Sequence, residues 1–291
     1  MQDYDGIIDI QSKEYPGLLK QISDPPEKFY YRGRWDPALF DYCLAVVGTR
    51  QITRYGKQAT DAIVMPVAAS GVTIVSGFMY GVDARAHTAA LNGGGRTIAV
   101  MPCGIDHILP VYQKELYHNI IDTGGLIISE YKPGIRVRSG MFVKRNRIVS
   151  GLSQGTLVVE GAKKSGTMIT ANLTLDYNRY LFAVPGPVGA FYSEGPNFLI
   201  KHGAYAVTGS EDIMNMFDLS FRENNKYDIV LSEEEEIIVR HLSAGPLEID
   251  ELARSLRWDI SLLNGCLSLM EIKGLVEVDE GKYHTKESIL C

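Results

Sequence analysis

The stretch Cys43-Leu44-Ala45-Val46-Val47-Gly48-Thr49-Arg50 reads as a strand buried on both faces that ends in a glycine turn. Its five leading residues are apolar without interruption, and a helical pattern follows. Gly48 lets the backbone come close to a ligand, and the amides at the start of the next helix favour an anion. Arg50 adds a bidentate phosphate donor at the same turn. The same rhythm recurs downstream. Apolar runs at Val72–Val75, Thr97–Met101, Leu126–Ile128, Thr156–Val159, Tyr180–Val184 and Tyr205–Val207 end in glycine or a polar turn, and most lead into helical spacing. Strand–helix alternation of this kind predicts an α/β fold with a doubly wound, mostly parallel sheet of the extended Rossmann type over residues 41–220. Such sheets bind ligands beyond the carboxyl ends of their strands, so the turns after each run carry the candidate chemistry.

Flanking segments behave differently. Residues 1–40 form a lead-in rich in proline and aromatics, expected to pack on the core. Residues 221–230 read as a polar linker. In residues 231–291, Ser232 ahead of Glu233–Glu236 makes an N-cap with acids in the first turn. Helices over Pro246–Leu256 and Ile260–Lys273 follow, with Gly274 as a stop. Strands at Leu275–Val278 and Lys282–His284 complete the pattern of a small winged-helix-like domain. Residues 230–291 carry 6 Lys+Arg and 13 Asp+Glu, a net of −7, whereas residues 1–229 carry 23 and 22, a net of +1. The overall charge of −6 therefore belongs to the C-terminal segment. Its last helix offers one cation, Lys273, so duplex reading is disfavoured and a protein-binding role is expected. No stretch of 18 apolar residues predicts a membrane span. The four cysteines are scattered without a CxxC pair, which argues against a zinc site and for a reducing cytoplasm. The acidic start Met1-Gln2-Asp3-Tyr4-Asp5 does not read as a secretory signal. Neither a metal nor a cofactor is expected.

The turns differ in what they offer. Ser76-Gly77-Phe78-Met79-Tyr80-Gly81-Val82-Asp83 opens an amide-lined loop but lacks the Lys-Ser/Thr of a Walker A loop. Asp83 there suits a helix cap, and His87 one turn later suits a packed, hydrogen-bonded position. Lys132 to Arg147 holds Lys132, Arg136, Arg138, Lys144, Arg145 and Arg147 with no acid. With Phe142 to stack on a base and Asn146 to reach a base edge, it forms a single-strand binding kit. If Phe142–Leu152 is helical, Phe142, Arg145 and Asn146 share one face. The competing reading is a solvated basic surface, with Asn146 and Arg147 tying loops together. Lys163 and Lys164 extend the patch, while Ser165, Gly166 and Thr167 can start a helix with free amides for phosphate. Glu160 suits pairing with Arg145 or Arg147. No Ser-His-Asp or paired-carboxylate arrangement stands out, so no catalytic residue is assigned.

In this order the segments resemble the DNA-processing protein family DprA, also called Smf. The matching residues are Gly48-Thr49-Arg50, Ser76-Gly77, Gly81-Val82-Asp83, Ala86-His87 and Gly104-Ile105-Asp106. Further along stand Phe142 with Arg145-Asn146-Arg147, then Glu160, Ser165-Gly166-Thr167 and Val184-Pro185-Gly186. The resemblance covers roughly residues 12–215. It implies a non-catalytic, dimeric, cytoplasmic single-stranded DNA-binding protein that protects incoming DNA and loads RecA recombinase during natural transformation. It places Arg50, the Ser76-Gly77 turn, Phe142, Lys144, Arg145, Asn146 and the Ser165–Thr167 turn at the DNA. The alternative is a nucleotide-binding enzyme or sensor similar to Rossmann-like phosphoribohydrolases. Their Pro-Gly-Gly-x-Gly-Thr-x-x-Glu motif has no counterpart here, because Thr167 is followed by Met168-Ile169-Thr170 without the Glu.

Overall fold

The computed structural model describes residues 4–217, 219, 232–242, 245–272, 275–279 and 281–285. The expected linker at 221–230 and the helix stop at Gly274 lie outside these residues. Two compact units are present, Met1–Asn224 and Asn225–Cys291.

The first unit is built on nine strands: β1 Gly6–Asp9, β2 Lys28–Arg32, β3 Cys43–Val47, β4 Thr73–Ser76, β5 Thr97–Val100, β6 Leu126–Ser129, β7 Gly155–Val158, β8 Tyr180–Ala183 and β9 Tyr205–Ala206. Its helices are α1 Gly17–Lys20, α2 Arg54–Ala69, α3 Val82–Asn92, α4 Lys114–Asp122, α5 Met141–Gly151, α6 Gly166–Asp176, α7 Glu194–Lys201 and α8 Ser210–Met216. The strand order is β1-β2-β6-β5-β4-β3-β7-β8-β9. From β5 to β9 this is the doubly wound order, with its switch point between β3 and β7. Pairing is parallel from β6 across to β9. The expected mostly parallel Rossmann-like sheet is therefore present.

All five residues of β3 are buried, as their unbroken apolar run requires. Alternation along the strand decides the layer each side chain enters. Leu44 and Val46 face α2, α3 and α8 through Val64, Ala86 and Met214. Cys43, Ala45 and Val47 face α5, α6 and α7 through Ile148, Ala171 and Leu199. The lead-in does more than cover this second layer. It supplies β1 and β2, and β2 runs antiparallel to β6, extending the sheet by two strands.

Several boundaries move by a residue. Ser76 closes β4 instead of opening the turn, and its hydroxyl donates to the Val46 carbonyl at 2.6 Å. Helix α5 begins at Met141, after Gly140 in the left-handed conformation.

The second unit holds α9 Glu233–Leu242, α10 Ile249–Leu256, α11 Ile260–Ile272 and the antiparallel hairpin β10 Val276–Asp279 and β11 Lys282–Thr285. Ser232 caps α9, its hydroxyl accepting from the Glu235 amide. The second helix starts three residues later than expected, because Leu247 pairs with Tyr283 of the hairpin. Leu263, Leu267 and Met270 of α11 seal a core with Ile238, Leu252 and Val276. Three helices and a two-stranded wing make this a winged helix.

Candidate nucleic-acid interface

An open cavity of about 560 Å³ lies at the carboxyl ends of β3, β4 and β7, beside the switch point. Of the residues expected at the site, it brings together Arg50, Gly77, Phe142, Arg145, Asn146, Ser165, Gly166 and Thr167. Ser76, Gly81, Lys144, Arg147, Lys163 and Lys164 do not line it.

One wall is the start of α6. Ser165 is its N-cap, yet the hydroxyl makes no capping bond and is shielded with no hydrogen-bond partner among the described residues. The first-turn amides of Gly166 and Thr167 have no acceptor within the helix, and the dipole adds positive potential there. A Cβ on Gly166 would meet nothing within 4 Å, so its amide is approachable.

The opposite wall is cationic and aromatic. Exposed Arg50 places its guanidinium 5.1 Å from the Phe142 ring centroid and 5.7 Å from that of Tyr80. Among the described residues no carboxylate pairs with it. An arginine stacked on aromatics keeps its in-plane donors for an anion.

The floor is Arg145, buried to 4% exposure. Its Nη1 donates to the carbonyls of Gly77 and Val100, and its Nε to Asn146 Oδ1 at 3.3 Å. Gly77 is glycine for this reason, since a Cβ would collide with the guanidinium. Burial lowers the Arg145 pKa to about 10; Asp83 opposes the shift and Arg50 adds to it. Arg145 therefore stays cationic at neutral pH. Asp83 is held above the usual carboxylate range by burial, partly offset by Arg145. Asp83 does not cap α3 as expected. Gly81 is the N-cap, and Asp83 in the first turn accepts from the Met79 amide at 3.4 Å.

His87 lies outside the cavity lining. Thr97 gives its hydroxyl proton to the Ile74 carbonyl, so it accepts from His87 Nδ1–H at 2.7 Å. This fixes the tautomer, and burial, aided by Arg145, lowers the His87 pKa to about 3.

The basic run is split by helix phase. Arg145 turns inward to the cavity floor. Arg147, two residues on, bonds Asp24 at 2.9 Å and Glu130 at 2.6 Å. Lys144 reaches the same Glu130 at 3.5 Å. Lys163 stacks its ammonium 4.4 Å from the Phe198 ring centroid. Glu160 pairs with neither Arg145 nor Arg147. Its carboxylate accepts from the Thr53 amide at 2.9 Å and the Thr53 hydroxyl at 2.6 Å, because β7 ends beside the start of α2. Tyr80, Asp83 and Tyr192 line the cavity without having been expected there. Tyr80 carried a readable signal, an aromatic in a glycine-flanked strand-end loop. Tyr192 comes from beyond β8, with nothing local to mark it.

The description "DNA recombination-mediator protein A" matches residues 6–218, and "DprA winged helix domain" matches residues 228–282. A DNA processing protein DprA of Bacillus subtilis is 39% identical over 206 residues, covering 71% of this chain and 69% of that one. A crystal structure of DNA processing protein A from Streptococcus pneumoniae matches with TM-score 0.68 at 34% identity, covering 75% of each chain. DNA processing protein A from Helicobacter pylori, whose structure addresses a single-stranded DNA binding mode, matches with TM-score 0.66 at 32% identity. That match covers 76% of this chain and all of the other. The matched stretch spans from 51% to 71% of the length of the curated relatives.

Proposed function

This chain belongs to the DNA recombination-mediator protein A family, and we propose that it binds single-stranded DNA, without catalysis, in the cavity beside the β3–β7 switch point. The observation that carries the reading is a helix N-terminus and an arginine that makes no ion pair among the described residues, both lining one cavity. Gly166 and Thr167 amides and Arg50 hold phosphate oxygens. Phe142 and Tyr80 offer π-faces that any base can use, which suits sequence-tolerant binding. The groove is open at its mouth, as a continuous strand requires. The family name and the Helicobacter pylori relative's single-stranded DNA binding support the same reading.

On this basis the protein protects incoming single strands and loads a RecA-type recombinase onto them during natural transformation, as a cytoplasmic homodimer. The acidic winged helix serves protein contacts rather than duplex DNA. The remaining expected contacts, Ser76, Gly81, Lys144, Arg147, Lys163 and Lys164, act in this scheme by shaping loops or adding field, not by touching DNA.

The test is fluorescence anisotropy with labelled oligo-dT and a matched duplex across a salt series. A preference for the single strand is expected, with log K falling against log[salt] by about 0.7 per neutralised phosphate. Arg50→Ala should weaken binding and remove about one such increment. Equal affinity for duplex and single strand, or an unchanged slope in Arg50→Ala, would overturn the proposal.

A further inference from the structure

The winged helix presents its third helix, α11, in an unusual state. In this architecture that helix is the one that enters a DNA groove, with donors on its outer face. Here Ile260–Ile272 contains no Lys or Arg at all. The face turned away from the core instead carries Leu262 at 56% and Leu269 at 57% exposure, with Gly265 between them. Residues three and four apart share a helix face, so Leu262, Gly265 and Leu269 form one ridge spanning two turns. Inward-facing Leu263, Leu267 and Met270 are already sealed in the core, so core packing does not account for this ridge.

Gly265 sharpens the point. A helix-interior glycine costs about 1 kcal/mol relative to alanine. A Cβ there would meet nothing within 4 Å, so nothing within the domain requires its absence. A flat notch between two exposed leucines suits the close approach of a second helix, with the leucines as anchors on either side.

Charge selects the occupant. Residues 230–291 carry a net −7, and Asp259 stands at the amino-terminal end of α11, its carboxylate accepting from the Ser261 amide at 2.8 Å. A second copy would bring the same negative charge and be repelled. Duplex DNA would be repelled for the same reason. A cationic partner is drawn in, and its own apolar stripe satisfies the leucines.

We propose that the outer face of α11, centred on Leu262, Gly265 and Leu269, docks a basic amphipathic helix of a partner protein. This rests on the reading of the winged helix as a protein-binding module and gives that module a site and a partner chemistry.

The full chain is titrated with a labelled synthetic amphipathic helix bearing leucine on one face and lysine on the other. A control peptide carries glutamate in place of lysine. The lysine peptide should bind, more weakly at high salt, and the glutamate peptide should not. The double variant Leu262→Ser, Leu269→Ser should bind the lysine peptide roughly tenfold more weakly. Gly265→Leu fills the notch with a better helix former, so unfolding cannot explain its loss of binding; it too should weaken the complex. Sedimentation should show the same oligomeric state for parent and variants. Unchanged peptide affinity in both variants sinks the proposal, as does a ridge-dependent change of oligomeric state, which would assign the face to a second copy. Oligo-dT affinity should be the same in parent and variants, so failure here leaves the single-strand reading intact, and failure there leaves this one.

Discussion

Arg147→Ala separates the two halves of the basic run. The Arg147 side chain is 7% exposed and bridges Asp24 of the lead-in to Glu130 beyond β6. Removing one partner of a buried pair costs about 3–5 kcal/mol, because the other charge stays buried and unpaired. Two features pull the estimate to the low end. Asp24 is 69% exposed, and an exposed partner contributes about 0–1 kcal/mol. Lys144 remains 3.5 Å from Glu130 and still offers it a cation. A loss of about 3 kcal/mol follows. At about 2–4 °C per kcal/mol for a domain of this size, the melting point of the α/β unit should fall by roughly 6–12 °C. Calorimetry of the full chain measures the shift. Arg147→Met combined with Glu130→Gln should recover much of the loss, since no charge is then stranded. Below the variant's melting point, oligo-dT affinity should match the parent, because Arg147 does not line the cavity. A variant that melts like the parent but loses oligo-dT binding would show that Arg147 contacts DNA, refuting its assignment to the Asp24–Glu130 bridge alone.

Three further outcomes are expected. Phe142→Ala should cost about 1–3 kcal/mol of oligo-dT binding with little change in salt slope, since a stacking face is lost and no phosphate contact; anisotropy measures both. Asp83 is a carboxylate in an anion cavity with its pKa raised above 3.8. Affinity should therefore rise as pH falls through that titration, when the negative charge is lost, and Asp83→Asn should abolish the dependence at constant ionic strength. His87 titrates near 3 when folded against 6.5 when unfolded. Below pH 6.5 the unfolded chain takes the proton first, so stability should fall by up to about 1.4 kcal/mol per pH unit down to about pH 3. Urea unfolding of His87→Gln against the parent tests this, a parallel pH dependence of the two being the contrary result.

What could be read in advance follows from how local each signal is. The apolar run of β3 needs no partner to be recognised, because burial on both faces forbids polar residues. The lead-in strands gave no such sign. β2 is Lys28-Phe29-Tyr30-Tyr31-Arg32, a mixed edge-like segment whose partner β6 lies about a hundred residues on. The same limit applies inside α5. Composition marks Lys144, Arg145 and Arg147 alike. Which of them faces the cavity is decided by helix phase and by two acids, Asp24 and Glu130, that the fold brings in from elsewhere. Glu160 was visible as a carboxylate after a strand, but its true partner, Thr53, sits 107 positions away.

The Glu160 backbone also joins the loops that line the cavity. Thr49 donates its amide to the Glu160 carbonyl at 2.7 Å, and Val82 donates its own to the Thr49 carbonyl at 3.1 Å. Gly161 in turn donates to the Tyr192 carbonyl at 2.7 Å. Gly81 takes a left-handed φ of +87°, and a Cβ there would strike the Thr49 carbonyl, so the β4 loop can pass under the β3 loop only as glycine. The loops after β3, β4, β7 and β8 are thus tied to one another through backbone bonds rather than through side chains that a ligand must displace. A single strand brings its own disorder to be paid for on binding. On the single-strand binding proposed above, a cavity whose donors are already fixed would leave that as the main ordering cost, the condition under which a few phosphate and stacking contacts suffice.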